Sequence, residues 1–323
     1  MGQKHSDGLL RNKDFFAGLT LFTIPKPFRG HSAIIQRNAI NSWTLLRPRP
    51  DIIILGNEEG TTAVSKELGV QQVPDVVCNE YGTPLLNDIF EKAEQFANTG
   101  LLCYVNADII LMGDFMKALT MVKLSMGRFL MIGRRWDVNF DEVLDFGPDW
   151  EAKFRVKVIT GGRPGNPAGM DYFVFPKETL GGIPPFAIGR TAWDSWLIYR
   201  ARALKAPVIN ASDAILAVHQ NHDYAHISIK AGDVWKGPEA KRNLELTGGR
   251  KHCFDLLDST HKLTSAGLKL ELGSKHLKRR LDTVPILYPR FKKLIRPVME
   301  IVRIPGNIKS IFKKLLGQGG KNT

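Results

Sequence analysis

Two unbroken apolar runs, Ile52–Leu55 and Leu101–Val105, constrain this chain more than anything else in it. A strand with one wet face alternates apolar and polar residues. A run with no such alternation must be covered on both sides, as strands inside a mostly parallel sheet are. Helical patterns separate these and other β-prone segments, and that alternation specifies an α/β fold with helices on both faces of the sheet.

The remaining elements follow from periodicity and from caps. Leu19–Ile24 is a first strand, stopped by Pro25 and Pro27. Residues 31–46 place Ile35, Ala39, Trp43 and Leu46 on one helical face. Asp51–Leu55 is the second strand, Thr61–Leu68 a helix ended by Gly69, and Val73–Val77 a small strand. Thr83 is a good N-cap with Pro84 at the first helical position, and Gly100 lies beyond the last turn. Between them Leu86, Ile89, Phe90, Ala93, Phe96 and Ala97 keep helical spacing. A helix at 114–123, a strand at 128–133, a helix near 150–157, a strand at Met170–Phe175 and a helix at Trp193–Leu204 continue the series. One or two strands occupy Pro207–Val218, ending at His219.

In an open α/β sheet ligands collect at the carboxyl ends of the strands. Leu101–Val105 runs directly into Asn106-Ala107-Asp108, with apolar Ile109-Ile110-Leu111 beyond. A carboxylate set between two apolar runs is costly to bury unpaired. Its partner is either a divalent cation or a nearby arginine, or the residue caps a turn. Magnesium or manganese suits an oxygen site of this kind. Such an ion neutralises charge that develops on a departing diphosphate. His219 and His222 follow the apolar segment Ala214–Val218, and either ring nitrogen is a candidate to complete a metal shell. Asp194 opens a helix, where it is a simple cap or a base that accepts the proton of an attacking hydroxyl. Trp193 and Trp196 offer flat faces to a sugar ring or belong to the core. Asp171 contacts sugar hydroxyls or pairs with an arginine. Arg134 and Arg135 follow a strand and hold phosphate or remain a solvated basic pair.

Inspection removes several other chemistries. The chain has no Gly-x-x-x-x-Gly-Lys-[Ser/Thr] loop, no Gly-x-Gly-x-x-Gly after the first strand, no His-Glu-x-x-His helix and no Gly-x-Ser-x-Gly elbow. Its three cysteines, Cys78, Cys103 and Cys253, are widely spaced, which argues against a disulfide framework and suits a reducing compartment.

In order and content these residues resemble the GT-A glycosyltransferases, particularly the bacterial family-2-like group. The likeness is carried by the strand Leu19–Ile24, the strand end Asn106-Ala107-Asp108, the helix start Trp193-Asp194 and His219, over roughly residues 18–225. It implies a GT-A-like, Rossmann-related sheet, a nucleotide-diphosphate-sugar donor and a divalent cation, Mn or Mg. By this likeness Asp108 matches the last acid of the family's Asp-x-Asp motif. Asp194 falls where inverting members keep their base, and His219 where many keep a C-terminal metal ligand. Thr23, Pro25 and Glu58 fall in the regions that hold the nucleoside. The chain departs from the pattern at Asn106, a neutral amide in place of the first acid, and at Trp193, in place of an acidic neighbour of the base.

Composition matters mainly through its distribution. Residues 275–323 carry 13 Lys/Arg against Asp282 and Glu300, a net of +11 out of the chain's +13. The expected organisation is therefore a nearly neutral GT-A-like domain over 1–274 and a basic tail over 275–323. In the tail, residues 307–316 set Ile308, Ile311, Phe312 and Leu315 on one helical face among Lys309, Lys313 and Lys314. A basic amphipathic helix of this kind lies in an anionic headgroup layer or packs on the body. Met1–Gly8 is polar and lacks the apolar core of a signal peptide, and no run approaches the ~18 apolar residues of a spanning helix. The expectation is a cytoplasmic enzyme, peripheral on the inner face of the membrane, that acts on a glycan or lipid-linked acceptor in cell-surface glycan synthesis. The competing functions are a sugar-phosphate nucleotidyltransferase and a non-catalytic protein that binds membrane or nucleic acid through its tail. Pro25-Lys26-Pro27 stands where the nucleotidyltransferase wants a glycine-rich loop, and the nearly neutral body disfavours nucleic acid.

Overall fold

The computed structural model describes residues 18–221 and 233–291. The chain divides into two compact units, Met1–Glu271 and Leu272–Thr323. The described residues of the second unit form one α-helix, Ser274–Leu287, and a short 3-10 helix, Pro289–Phe291. His222 and the 307–316 segment lie outside the described residues.

The first unit is built on a nine-stranded sheet. Its strands are β1 (Thr20–Thr23), β2 (Asp51–Leu55), β3 (Gln71–Val73), β4 (Leu101–Val105), β6 (Leu130–Arg134), β9 (Met170–Pro176), β10 (Val208–Asn210), β12 (His261–Thr264) and β13 (Gly267–Leu270). They lie in the order β13-β12-β10-β6-β9-β4-β1-β2-β3. The pairs β1–β2, β1–β4, β2–β3, β6–β10 and β10–β12 are parallel. β9 runs antiparallel between β4 and β6, and β13 closes one edge antiparallel to β12. A second sheet of four short strands, β5 (Ile109–Ile110), β7 (Trp136–Val138), β8 (Arg163–Pro164) and β11 (Val218–Gln220), has the order β5-β11-β7-β8.

The apolar runs are explained by what covers them. Along β1 and β4, Leu21, Cys103 and Val105 join Ala39, Ile40 and Trp43 of α1 (Gly30–Thr44), and Phe115, Leu119 and Val122 of α4 (Gly113–Ser125). The alternate residues Phe22 and Tyr104 join an aromatic cluster, mostly through edge contacts, with Phe90 of α3 (Leu86–Phe96), Phe175 of β9 and Trp193 of α6 (Trp193–Ala203). Period-two strands between two helical layers need apolar residues at every position.

Close packing also fixes a glycine. A Cβ on Gly133 of β6 would lie 2.0 Å from the hydroxyl of the wholly buried Tyr172. The short helix α2 (Thr61–Leu68) covers the β3 edge and ends, as expected, in a left-handed Gly69. Beneath the small sheet, α5 (Trp150–Gly161) contributes Phe154 and Val158 to a separate cluster with Ile110, Met112, Val138, Phe140 and Val218.

Some boundaries differ from the sequence expectations, each for a tertiary reason. Helix α3 begins at Leu86 rather than at Pro84, because Pro84 bridges Cys78 and Leu85 bridges Ala187 in extended backbone. Phe96 of that helix is 40% exposed and falls off the buried face. The third strand is Gln71–Val73 instead of 73–77, since it ends where its pairing with β2 stops. His219 sits inside β11 rather than after it, held between β5 and β7. The strand pair β12–β13 and helix α7 (Pro238–Leu246) were not anticipated.

Candidate active site

The chain leaves β1 for β2 on one side and returns to pair β4 on the other, so the sheet has a topological switch point between β1 and β4. The crevice above the carboxyl ends of two such strands is where open α/β sheets bind ligands. Thr23 ends β1, and Asn106-Ala107-Asp108 follows β4 directly. The turn after β4 is short, and β5 then pairs with β11 so that His219 faces Ile109 in register. This pairing brings the His219 Nε2 atom within 3.6 Å of Asp108 Oδ2.

A wider polar cluster surrounds that pair. His219 Nδ1 lies 3.3 Å from Asp137 Oδ1 and 3.3 Å from Asn221 Oδ1. The Arg135 guanidinium donates to Asp137 Oδ1 at 2.8 Å and to Asp171 Oδ2 at 2.9 Å. Asn106 donates from Nδ2 to Asp171 Oδ1 at 2.6 Å and accepts the Tyr104 hydroxyl at 3.0 Å. Three carboxylates, Asp108, Asp137 and Asp171, thus converge on one arginine and one histidine. The Asn106 amide explains the missing first acid. A carboxylate in its place would abut Asp171, a like-charge contact that favours protonation of one of the two.

The electrostatics follow from this crowding. Burial weakens the Arg135 charge, but Asp171 first and then Asp137 and Asp108 more than restore it, holding its pKa above the ordinary value. Burial also disfavours the His219 imidazolium, and the Asp108 carboxylate reverses this, leaving His219 above its usual range. Asp194 stands in the first turn of α6, after Ala192, a non-glycine residue at φ 85°. Its carboxylate accepts its neighbour Ser195 N–H at 2.7 Å, yet burial and then the Asp171 charge keep its pKa pushed up to about 6.

Behind Asp108 a buried amide pair fixes the turn. Gln220 donates to the carbonyls of Ile35 at 2.8 Å and Asp108 at 3.2 Å, and accepts from Asn38 at 2.9 Å. The other candidates take varied places. Thr23, at the end of β1, and Pro25 are buried, and among the described residues the Thr23 hydroxyl finds no hydrogen-bond partner, while Glu58 is exposed after β2. The Arg134 main-chain N–H donates to the Ser212 hydroxyl oxygen at 2.8 Å, and it is Arg135 whose side chain enters the cluster. Trp193 and Trp196 are both 6% exposed and packed in the aromatic core. Asp137, Tyr104 and Gln220 carried no usable signal in the sequence, because each reaches the site through pairing of two- and three-residue strands or from inside an apolar run.

A divalent cation fits the donor set present. Asp108 and His219 offer an oxygen and a nitrogen of the types that bind such ions, in a cluster where acids outnumber bases. Among the described residues no group of three or more His, Cys, Asp or Glu side chains is arranged to hold an ion unaided. The remaining ligands would therefore come from water or substrate oxygen, the usual situation of a hard cation shared with phosphates.

No protein-family model matches the chain, and no curated protein matches it. Solved structures do resemble it. Glucosyl-3-phosphoglycerate synthase from Mycobacterium tuberculosis, in complex with Mn2+, uridine-diphosphate-glucose and phosphoglyceric acid, aligns at 15% identity and a TM-score of 0.44, covering 72% of this chain and 80% of that one. GalNAc-T7 with UDP, GalNAc and Mn2+ aligns at 13% identity and a TM-score of 0.47, covering 72% and 48%. A nucleotide-diphospho-sugar transferase from Desulfovibrio desulfuricans, described as putative, aligns at 12% identity and a TM-score of 0.38, covering 71% and 96%.

Proposed function

We propose that this chain is a glycosyltransferase that moves a sugar from a nucleotide-diphosphate donor to an acceptor hydroxyl. The observation that carries this reading is the Asp108–His219 pair at the β1–β4 switch point, set among further carboxylates. A cluster with this excess of negative charge repels a bare diphosphate and accepts one that arrives with a cation.

In this reading Asp108 and His219 hold Mn or Mg, which when bound supplies positive charge to the leaving diphosphate. Thr23, Pro25 and Glu58 line the nucleoside side of the crevice, with the unspent Thr23 hydroxyl as a ready partner. Asn106 and Arg135 hold Asp171 in place, with its two oxygens fixed from opposite sides. Asp194 receives the proton of the acceptor hydroxyl at its carboxylate. A pKa of about 6 keeps most of it ionised at neutral pH while leaving it a stronger base than an ordinary aspartate. Arg134 flanks the phosphate side, and His222 is the second imidazole available to the cation.

The basic segment 275–323 is assigned to an anionic membrane surface, which suits a lipid-linked glycan acceptor and a peripheral enzyme on the inner face. No helix among the described residues is long and apolar enough to cross a membrane. Replacing Lys309, Lys313 and Lys314 with glutamate is expected to abolish sedimentation with anionic vesicles. Unchanged sedimentation would remove this role.

The principal test is thermal. UDP or GDP with manganese is expected to raise the melting temperature, because a ligand that binds only the folded state stabilises it. Asp108→Ala is expected to remove that rise. A melting curve that no nucleotide in a full panel shifts would sink the glycosyltransferase reading. A screen of nucleotide-sugar hydrolysis then identifies the donor.

A further inference from the structure

Adjoining the cluster, and sharing Asp137 and Asn221 with it, lies a polar cleft of about 290 Å³ whose other lining residues are Asn139, Gly161, Gly162 and Arg163. Its volume is at the low end of small-molecule sites, roughly 300–1,000 Å³. It communicates with the reaction centre through two polar links. Asp137 lines the cleft and also touches His219 and Arg135. Asn221 lines it too, touching His219 through its oxygen and donating to Asn139 Oδ1 at 2.7 Å.

The unspent polar groups define what the cleft takes. Among the described residues the Asn139 amide nitrogen makes no hydrogen bond and the Arg163 side chain makes no ion pair, so both remain available as donors. Asp137 supplies a carboxylate acceptor. Donors and an acceptor around one small space match a group whose hydroxyls both give and receive hydrogen bonds. An anionic ligand is disfavoured by Asp137 and by the carbonyl end of α5, which terminates at Gly161 and carries the negative end of the helix dipole. A cationic ligand is disfavoured by Arg163.

Resting on the glycosyltransferase reading, we propose that this cleft is the acceptor subsite and that it takes one neutral, polyhydroxylated sugar residue in preference to an anionic acceptor. The backbone offers a way to close it. Among the described residues a Cβ on Gly161 meets nothing within 4 Å, and its φ is an ordinary negative one, so a side chain added there starts out into open space. At Gly162 a Cβ would lie 2.6 Å from the Val158 carbonyl oxygen and 3.1 Å from that of Asp137, so the same change one residue later is expected to damage packing.

The experiment is saturation-transfer NMR on the full chain with methyl glucoside, methyl galactoside and methyl mannoside, each compared with the corresponding sugar 6-phosphate. At least one neutral glycoside is expected to bind, and more tightly than its phosphate. Gly161→Trp and Asn139→Leu, each with a melting temperature close to that of the parent, are expected to weaken that binding at least tenfold. Failure of every neutral glycoside to bind, tighter binding of the phosphates, or binding unaffected by both variants would overturn the proposal. Nucleotide with manganese is titrated in parallel against the unmodified protein. A nucleotide response without glycoside binding rejects the cleft alone. Glycoside binding without a nucleotide response rejects the glycosyltransferase reading and retains the cleft as a sugar site.

Discussion

The two sheets of this molecule are built by opposite rules. Every residue of β4 in the large sheet is buried, and its two neighbours hold it in register over several residues. The small sheet has strands of two or three residues, and it carries His219 and Asp137 at its centre. The large sheet spends its residues on packing and supplies a rigid edge from which Asp108 projects. The small sheet spends its residues on polar contacts and aims a second set of side chains at that edge. Stability and chemistry are thereby assigned to different strands.

The largest expected effect tests the packing half of this division. Phe22 is fully buried and makes edge contacts with Phe90, Tyr104 and Phe175. Phe22→Ala is expected to cost about 3–5 kcal/mol of stability in denaturant unfolding, the usual range for an aromatic removed from a close-packed core. A loss below about 1 kcal/mol would show that this face of the sheet is not the close-packed layer described.

The same division explains what was legible in the sequence. Unbroken runs such as Leu101–Val105 announce burial on both faces, and the helices over them announce themselves by period and caps. Asp108 and His219 stood out because each follows an apolar run, and Asp194 because it opens a helix. Asp137 did not, because a three-residue strand that sets it opposite His219, 82 positions away in sequence, has no periodicity to read. Arg135 was visible only as half of a basic pair, and nothing local separates its side chain, which enters the cluster, from that of Arg134. The antiparallel insertion of β9 was equally invisible, since strand direction is set by connectivity and leaves no mark on composition. Pro84 misled because a proline suits the first turn of a helix and an isolated bridge alike.

The next expected effect concerns the carboxyl that the body buries for the sake of chemistry. The Asp194 pKa is about 6, above its value in an unfolded chain. A raised acid binds more protons folded than unfolded, so its contribution falls as pH rises from about 4 to 6 and stays unfavourable above that. Asp194→Asn is expected to stabilise the protein by roughly 2–3 kcal/mol at pH 8, an upper bound from about 1.4 kcal/mol per pKa unit, with the gain disappearing below pH 4. Melting curves of both proteins across that range measure it. A gain independent of pH would mean that packing, and not the buried charge, is responsible. Sugar transfer is expected to fall steeply in the same variant.

Asn106 lies where the two sheets' chemistry meets, and it gives a smaller effect with a conditional sign. Asn106→Asp removes the hydrogen bond to Asp171 and sets two carboxylates against each other, at an expected cost of about 1–3 kcal/mol in the presence of a chelator. Manganese is expected to recover part of that loss and to shift the melting temperature of the variant more than that of the parent protein. Equal shifts in the two proteins would place the cation away from Asn106 and Asp171.

The smallest expected effect is the sharpest test of the division between the sheets. Asn139 is exposed, and the hydrogen bond that its Oδ1 accepts from Asn221 is open to solvent. Asn139→Ala is expected to change stability by less than about 0.5 kcal/mol, as surface substitutions away from cores and caps usually do. Were the small sheet only a structural brace, nothing else would change either. If the sheet and the residue that follows β7 serve chemistry, the variant keeps its melting temperature and its response to nucleotide while the acceptor concentration needed for half-maximal transfer rises, because the lost amide reaches the acceptor cleft and not the donor crevice. Parallel measurement of melting temperature and acceptor saturation separates the two outcomes, and acceptor saturation unchanged from the parent would return this side of the molecule to a purely architectural role.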